Sequence, residues 1–159
     1  MKKNKPNIPK NGKWHQGQFN PVNKQKYKGS FPIIYRSSWE LQFMRFCDKT
    51  PNVLQWGSES LVVLYQDATR NNSQHRYFVD FNMIVKQQDG TLQKFYIEVK
   101  PFNQTHAPKK GKKISKSYNN QVITFVRNVC KWKAAQKVAK SKGGAFKILT
   151  EQGMIDVNF

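Results

Sequence analysis

Asp80, Glu98 and Lys100 are the residues of this 159-residue chain whose types and spacing suit a chemical reaction. Carboxylates are oxygen donors for hard cations such as Mg²⁺, which keep several waters and complete their coordination with substrate phosphate. A lysine two residues beyond a glutamate lies about 7 Å along the same face of a strand. From there its ammonium can sit beside a metal-bound water, orient it as a nucleophile, or offset charge on a phosphoryl transition state.

Positioning this trio falls to residues 76–101, RYFVDFNMIVKQQDGTLQKFYIEVKP. Val79, Phe81, Met83 and Val85 alternate with Asp80 and Asn82, and Phe95, Ile97 and Val99 alternate with Tyr96, Glu98 and Lys100. A period of two marks strands with one buried face, and Asp89-Gly90 between two such runs is a strong hairpin signal. Antiparallel partners share a face and have a constant sum of residue numbers. Placing Asp80 opposite Glu98 sets Val79 against Val99, Phe81 against Ile97 and Met83 against Phe95. Every apolar side chain then falls on one side, with Asp80, Glu98 and Lys100 on the other. That even sum needs an odd number of loop residues, so the spacing predicts a three-residue turn, Gln88-Asp89-Gly90, with Gly90 left-handed. A plain two-residue turn would send Asp80 into the core.

The blander alternative is an exposed hairpin face with ordinary charges, since Glu-x-Lys alone is common. Against it, the chain has only nine acids, and two of them share a face with a lysine in this register. Asp80, followed by Glu98-Val99-Lys100 at the close of the next strand, resembles the core of the PD-(D/E)XK, or restriction-endonuclease-like, nucleases. Val79 stands where many members have proline. A wider series runs through Tyr35-Arg36-Ser37-Ser38-Trp39-Glu40, Trp56-x-Ser58-Glu59, Arg76-Tyr77-Phe78-Val79-Asp80-Phe81, Ile97-Glu98-Val99-Lys100-Pro101 and Lys131-Trp132-Lys133-Ala134-Ala135. In that order, over about residues 31–152, it is similar to the head-completion nucleases of tailed bacteriophages and, more distantly, to TnsA-type transposon-end endonucleases.

The resemblance implies an α/β fold: one restriction-endonuclease-like domain, a central mixed sheet flanked by helices in the order αβββαβ. It also implies a metal-dependent endonuclease that hydrolyses double-stranded DNA with Mg²⁺ or Mn²⁺. Asp80 and Glu98 would hold the ion and Lys100 would position or activate the water. Glu40 matches the family's helix glutamate, which reaches across to the metal. The implied setting is late head assembly in the host cytoplasm or on the virion, with phage head or portal proteins as further partners.

Composition bounds these readings. One domain with one core suits the length, and 21 aromatic residues argue for a folded protein. The formal net charge of +19 predicts affinity for a polyanion. No acid precedes Glu40 and none lies between Glu98 and Glu151, so cationic flanks enclose a mixed centre. Nucleic acid is therefore the expected partner ahead of an acidic membrane surface. No run of 18 apolar residues is present to span a bilayer. The basic N-terminus lacks the apolar segment of a signal peptide. Cys47 and Cys130 have no metal-like spacing and read as reduced, buried thiols of a cytosolic protein, and the three histidines are scattered.

Residues 1–30 hold eight lysines, no acid and three prolines, and read as a basic, irregular arm preceding a domain over 31–159. Its interleaved aromatics, Trp14, Phe19 and Tyr27, suit either stacking on bases or docking on the domain. Ser37-x-x-Glu40 is a capping box opening a helix that runs to about Lys49 before Pro51, so capping competes with catalysis for Glu40. Trp39, Phe43 and Phe46 fit one apolar face of that helix. Val53–Trp56 and Leu61–Tyr65 read as extended segments, with Glu59 a rival third acid better suited to supporting a turn. After Pro101, Lys109, Lys110, Lys112, Lys113 and Lys116 form a loop that suits clamping DNA phosphates, as does Arg76 at the head of the Asp80 strand. A solvated face is the simpler reading of such a run. A helix is expected from about Tyr118 to Ser141, stopped by Gly143-Gly144, then a strand over Ala145–Thr150 and a short one over Met154–Val157. The rival to an enzyme is a non-catalytic DNA-binding protein of phage head assembly. An RNA-binding protein would explain the charge but leave the register of the trio a coincidence.

Overall fold

A computed structural model describes residues 16–157. Strand β1 (Gly17–Phe19) pairs antiparallel with β2 (Ile33–Tyr35), and helix α1 (Ser38–Lys49) follows. Strands β3 (Val53–Asp67), β4 (Ser73–Lys86) and β5 (Leu92–Val99) form an antiparallel meander. Helix α2 (Lys116–Ser141) then crosses over to β6 (Gly144–Thr150), which lies parallel to β5, and β7 (Gly153–Asp156) closes the sheet antiparallel to β6. The five-stranded order β3-β4-β5-β6-β7 is the expected central mixed sheet, with the expected αβββαβ order inside it.

Each helix covers its own core. Phe43, Met44 and Cys47 of α1 pack with Val53, Trp56, Phe81, Met83, Ile97 and Val99. Trp132, Ala135 and Ala139 of α2 pack with Val63, Tyr65, Tyr77, Val79, Tyr96, Phe146 and Ile148. Small residues on α2 let the helix approach the sheet, while the aromatics fill the gap. Phe46, expected on the apolar face of α1, is nearly half exposed.

From Phe81 opposite Ile97 to the turn the hairpin register is as the spacing requires, with Met83 facing Phe95, but the ladder does not reach the expected pairs Asp80–Glu98 and Val79–Val99. Gln87 and Thr91 close a three-residue turn with Gly90 at φ 85°, and the Asp89 carboxylate accepts from the Thr91 amide at 2.9 Å. The expected single apolar side does not hold. Val79 and Tyr77 belong to the α2 core, whereas Phe81, Ile97 and Val99 belong to the α1 core. The division falls at Asp80, opposite an irregularity in β3 where Ser58 faces Phe81 but Leu61 faces Val79, with Glu59 at φ 49°. An extra residue in one strand increases twist and re-aims its neighbours. It also explains why two predicted segments are one strand, Val53–Asp67.

Residues 1–15, including Trp14, lie outside the described residues. From residue 16 the basic stretch is built into the domain. Phe19 and Tyr27 are buried with Trp56, ring centroids 5.9 and 4.7 Å away. Lys26 Nζ donates to the carbonyls of Cys47, Asp48 and Thr50 at 2.7–3.0 Å. A cation there satisfies carbonyls that the end of α1 leaves unpaired. Buried Asp48 accepts in return from the amides of Val22 and Asn23, both at 2.9 Å. Cys47 is buried as expected, but Cys130 is only partly so.

Candidate active site

Asp80 ends its strand pairing with a side chain. The β4–β5 ladder stops at Phe81 opposite Ile97, and beyond it Asp80 Oδ2 accepts from the Val99 amide at 2.8 Å. The neighbouring Glu98 is 3 % exposed. Its Oε1 lies 3.0 Å from Lys100 Nζ, and its Oε2 accepts from the Tyr77 hydroxyl. Sequence spacing brought Asp80, Glu98 and Lys100 to one place, and the structure keeps them there.

The electrostatics follow from burying like charges together. Burial, with the Glu98 charge added, pushes Asp80 well above the usual carboxylate range, while Lys100 and the Val99 amide pull the other way. Burial alone would lower Lys100, but the charges of Glu98 and Asp80 outweigh it and hold the ammonium above an ordinary lysine. The cluster is thus an acid pair partly neutralised by one internal cation.

Glu40 is committed to its helix. Its amide donates to Ser37 Oγ at 3.1 Å, and its Oε2 accepts from the Arg36 amide at 2.8 Å. Burial raises its pKa, opposed by the Arg36 amide and the Ser37 hydroxyl. Its charge still acts on Asp80 and Lys100. Among the described residues, however, no three His, Cys, Asp or Glu side chains gather as a metal-holding group. The rival Glu59 forms an ion pair with Arg36 at the β3 irregularity.

Two side chains were given no role from sequence. Tyr77 lies in the quoted 76–81 series, three residues before Asp80, and its burial and the Glu98 anion raise its hydroxyl well above an ordinary tyrosine. Lys131 Nζ sits 5.5 Å from the Tyr77 ring centre and 5.8 Å from that of Tyr65. Burial lowers its pKa, although the nearby Glu98 opposes this. A lysine beside Trp132 and one helical turn before Ala135 was the available signal; which strand it would meet was not.

The expected phosphate contacts are arranged unequally. Lys109, Lys110, Lys112 and Lys113 are exposed on the loop that leaves the Lys100 end of β5. Lys116 is the first residue of α2 and not a loop residue, because Ser115 caps the helix by accepting from the Tyr118 amide at 3.0 Å. Arg76 is exposed on β4, opposite Leu64 and next to exposed Val62 and Phe78, in a largely apolar patch.

Comparison with known proteins accords with this architecture. Residues 50–151 match the family described as TnsA-like endonuclease N terminal. The chain is 37% identical over 150 residues to a head completion nuclease of Enterobacteria phage T4, covering 91% of this chain and 97% of that one. No solved structure matches it. The matched stretch contains β3 to β6 with Asp80, Glu98 and Lys100, and the chain, a relative of the phage head completion nuclease, belongs to the TnsA-like endonuclease family.

Proposed function

We propose that this protein is a divalent-metal-dependent DNA endonuclease that acts on phage DNA during head completion, in the host cytoplasm. The reading is carried by one observation: half-buried Asp80 stands beside buried Glu98 of the adjacent strand, with Lys100 Nζ 3.0 Å from Glu98 Oε1. It is supported by membership of an endonuclease family and by the head completion nuclease of phage T4.

The donor set fits a hard cation. Two carboxylates crowded enough to raise the pKa of Asp80 gain by sharing a divalent charge, and Mg²⁺ accepts few protein ligands because it retains waters. Asp80 and Glu98 would hold Mg²⁺ or Mn²⁺, with Glu40 acting on the site through its charge or through a water. A bound ion would lower the pKa of its water and neutralise charge on the phosphoryl group.

The chain's own residues do the rest. The Val99 amide holds Asp80, and the Tyr77 hydroxyl holds one oxygen of Glu98. Lys100, kept protonated by the acids around it, orients the attacking water and offsets charge on the phosphate. The lysines of the 109–113 loop, with Lys116, hold the backbone of double-stranded DNA electrostatically. Head or portal proteins are the partners this setting requires.

Plasmid nicking tests the reading. Wild type should nick with Mg²⁺ or Mn²⁺, stop when EDTA is added, and lose activity by at least about 100-fold in Asp80→Ala and Lys100→Ala. Equal nicking by wild type and Asp80→Ala, or none by wild type under broad conditions, would leave a DNA-binding assembly protein instead.

A further inference from the structure

Just past Lys100 the chain forms a separate concavity. Its volume is about 600 Å³, inside the roughly 300–1,000 Å³ range of small-molecule sites. One wall is the turn after β5, with Asn103, Gln104 and His106; the other is the start of α2. On α2, Asn120, Thr124 and Asn128 recur every four residues and so line one helix face, with Phe125 beside them. No acid lines the cleft, and Lys116 stands at its rim.

Asn128 is the informative residue. It is 6 % exposed and lines the cleft, yet among the described residues its side chain has no hydrogen-bond partner. With no such partner and no fully enclosed polar atom, the Asn128 amide opens onto the cleft and is free to bond what enters it. The surrounding amides both donate and accept, which matches the mixed edge of a nucleobase better than a purely anionic ligand.

We propose that this cleft receives one unpaired nucleotide of the DNA substrate. The base lies against the amides and Phe125, and its phosphate lies at the Lys116 end of α2. The first turn of a 26-residue helix presents free amides and the positive end of its dipole. A base inside a duplex shows only its groove edges and cannot enter a concavity, so the occupant must be unstacked and unpaired. The exposed lysines of residues 109–113 draw the adjoining backbone in without reading it. The cleft would therefore favour DNA with a single-stranded end or gap beside the hydrolytic site. The inference rests on DNA being the substrate, but not on cleavage.

Fluorescence anisotropy of the full chain in EDTA tests it, using labelled blunt duplex and the same duplex with a single-stranded tail. Wild type should bind the tailed duplex about tenfold more tightly. Asn128→Leu should abolish that preference and leave blunt-duplex binding unchanged. Asn120→Ala combined with Gln121→Ala, at two exposed positions where folding is not at stake, should reduce it severalfold. Asp80→Ala should keep the preference, which separates this test from that of hydrolysis. Wild type without a preference, variants that retain it, or variants that weaken both duplexes equally would overturn the proposal.

Discussion

The Val99 amide donates to Asp80 Oδ2 across 2.8 Å, so the β4–β5 ladder ends on a carboxylate and not on a carbonyl. That bond fixes Asp80 where the apolar residues of β4 part between two cores. Because burial and Glu98 raise its pKa, the ionised form costs stability in the folded state. Asp80→Asn keeps an acceptor for Val99 and removes the like charge. It should melt at or above the wild-type temperature at pH 7 while cleavage falls at least about 100-fold. Calorimetry beside a nicking assay checks both, and a large loss of Tm would show that Asp80 is there for the fold.

The Tyr77 hydroxyl donates to Glu98 Oε2, so under the proposed mechanism Tyr77 acts through Glu98 as a positioning residue. Removing the hydroxyl in Tyr77→Phe should weaken Mn²⁺ binding about tenfold and change the rate at saturating ion much less. Isothermal titration with parallel kinetics separates these. Unchanged ion affinity would confine Tyr77 to packing.

Lysines of one composition class sit in two different settings, Lys26 against the end of α1 and Lys109, Lys110, Lys112 and Lys113 exposed on a loop. Lys26→Met removes three hydrogen bonds from the end of α1, and should cost about 1.5–3 kcal/mol of stability without altering the salt dependence of DNA binding. Replacing Lys109, Lys110, Lys112 and Lys113 by alanine should do the reverse. Tm should hold while the slope of log affinity against log salt drops by about 0.9 per lost phosphate contact. A shared loss of Tm in both variants would contradict this division.

Asp67 makes acid the weak point of the far end of β3. Burial works against its ionised form, but Thr69 and Arg127 outweigh it and hold the carboxyl at about 2, below its ordinary value of 3.8. Arg127 Nε is 2.8 Å away and ties α2 to the end of β3. A depressed carboxylate contributes stability above its unfolded pKa and loses it as pH falls toward the folded value. The Tm gap between wild type and Asp67→Asn should therefore be widest above pH 3.8 and narrow toward pH 2. A constant gap across that window would show that the ion pair does not govern it.

Local alternation and one turn were enough to place the trio. The pairing sum that puts Phe81 opposite Ile97 follows from the period of two and from Gly90, because a one-residue slip would turn every side chain to the other face. Ser37 as a helix cap was legible for the same reason: its partner is three residues away. Charge distribution pointed to a polyanion from counting alone.

Long-range contacts decided what remained. Nothing near Val79 signals that it joins the α2 core, since the cause lies across the sheet at Glu59 and Ser60. Lys26 looks like any other lysine of a basic stretch until the end of α1 arrives beside it. Lys131 meets the Tyr77 ring, and Asn128 comes to line its cleft, only when α2 folds into place. Periodic patterns constrain which face a side chain takes within an element; which other element meets that face is settled by packing between segments far apart in the chain.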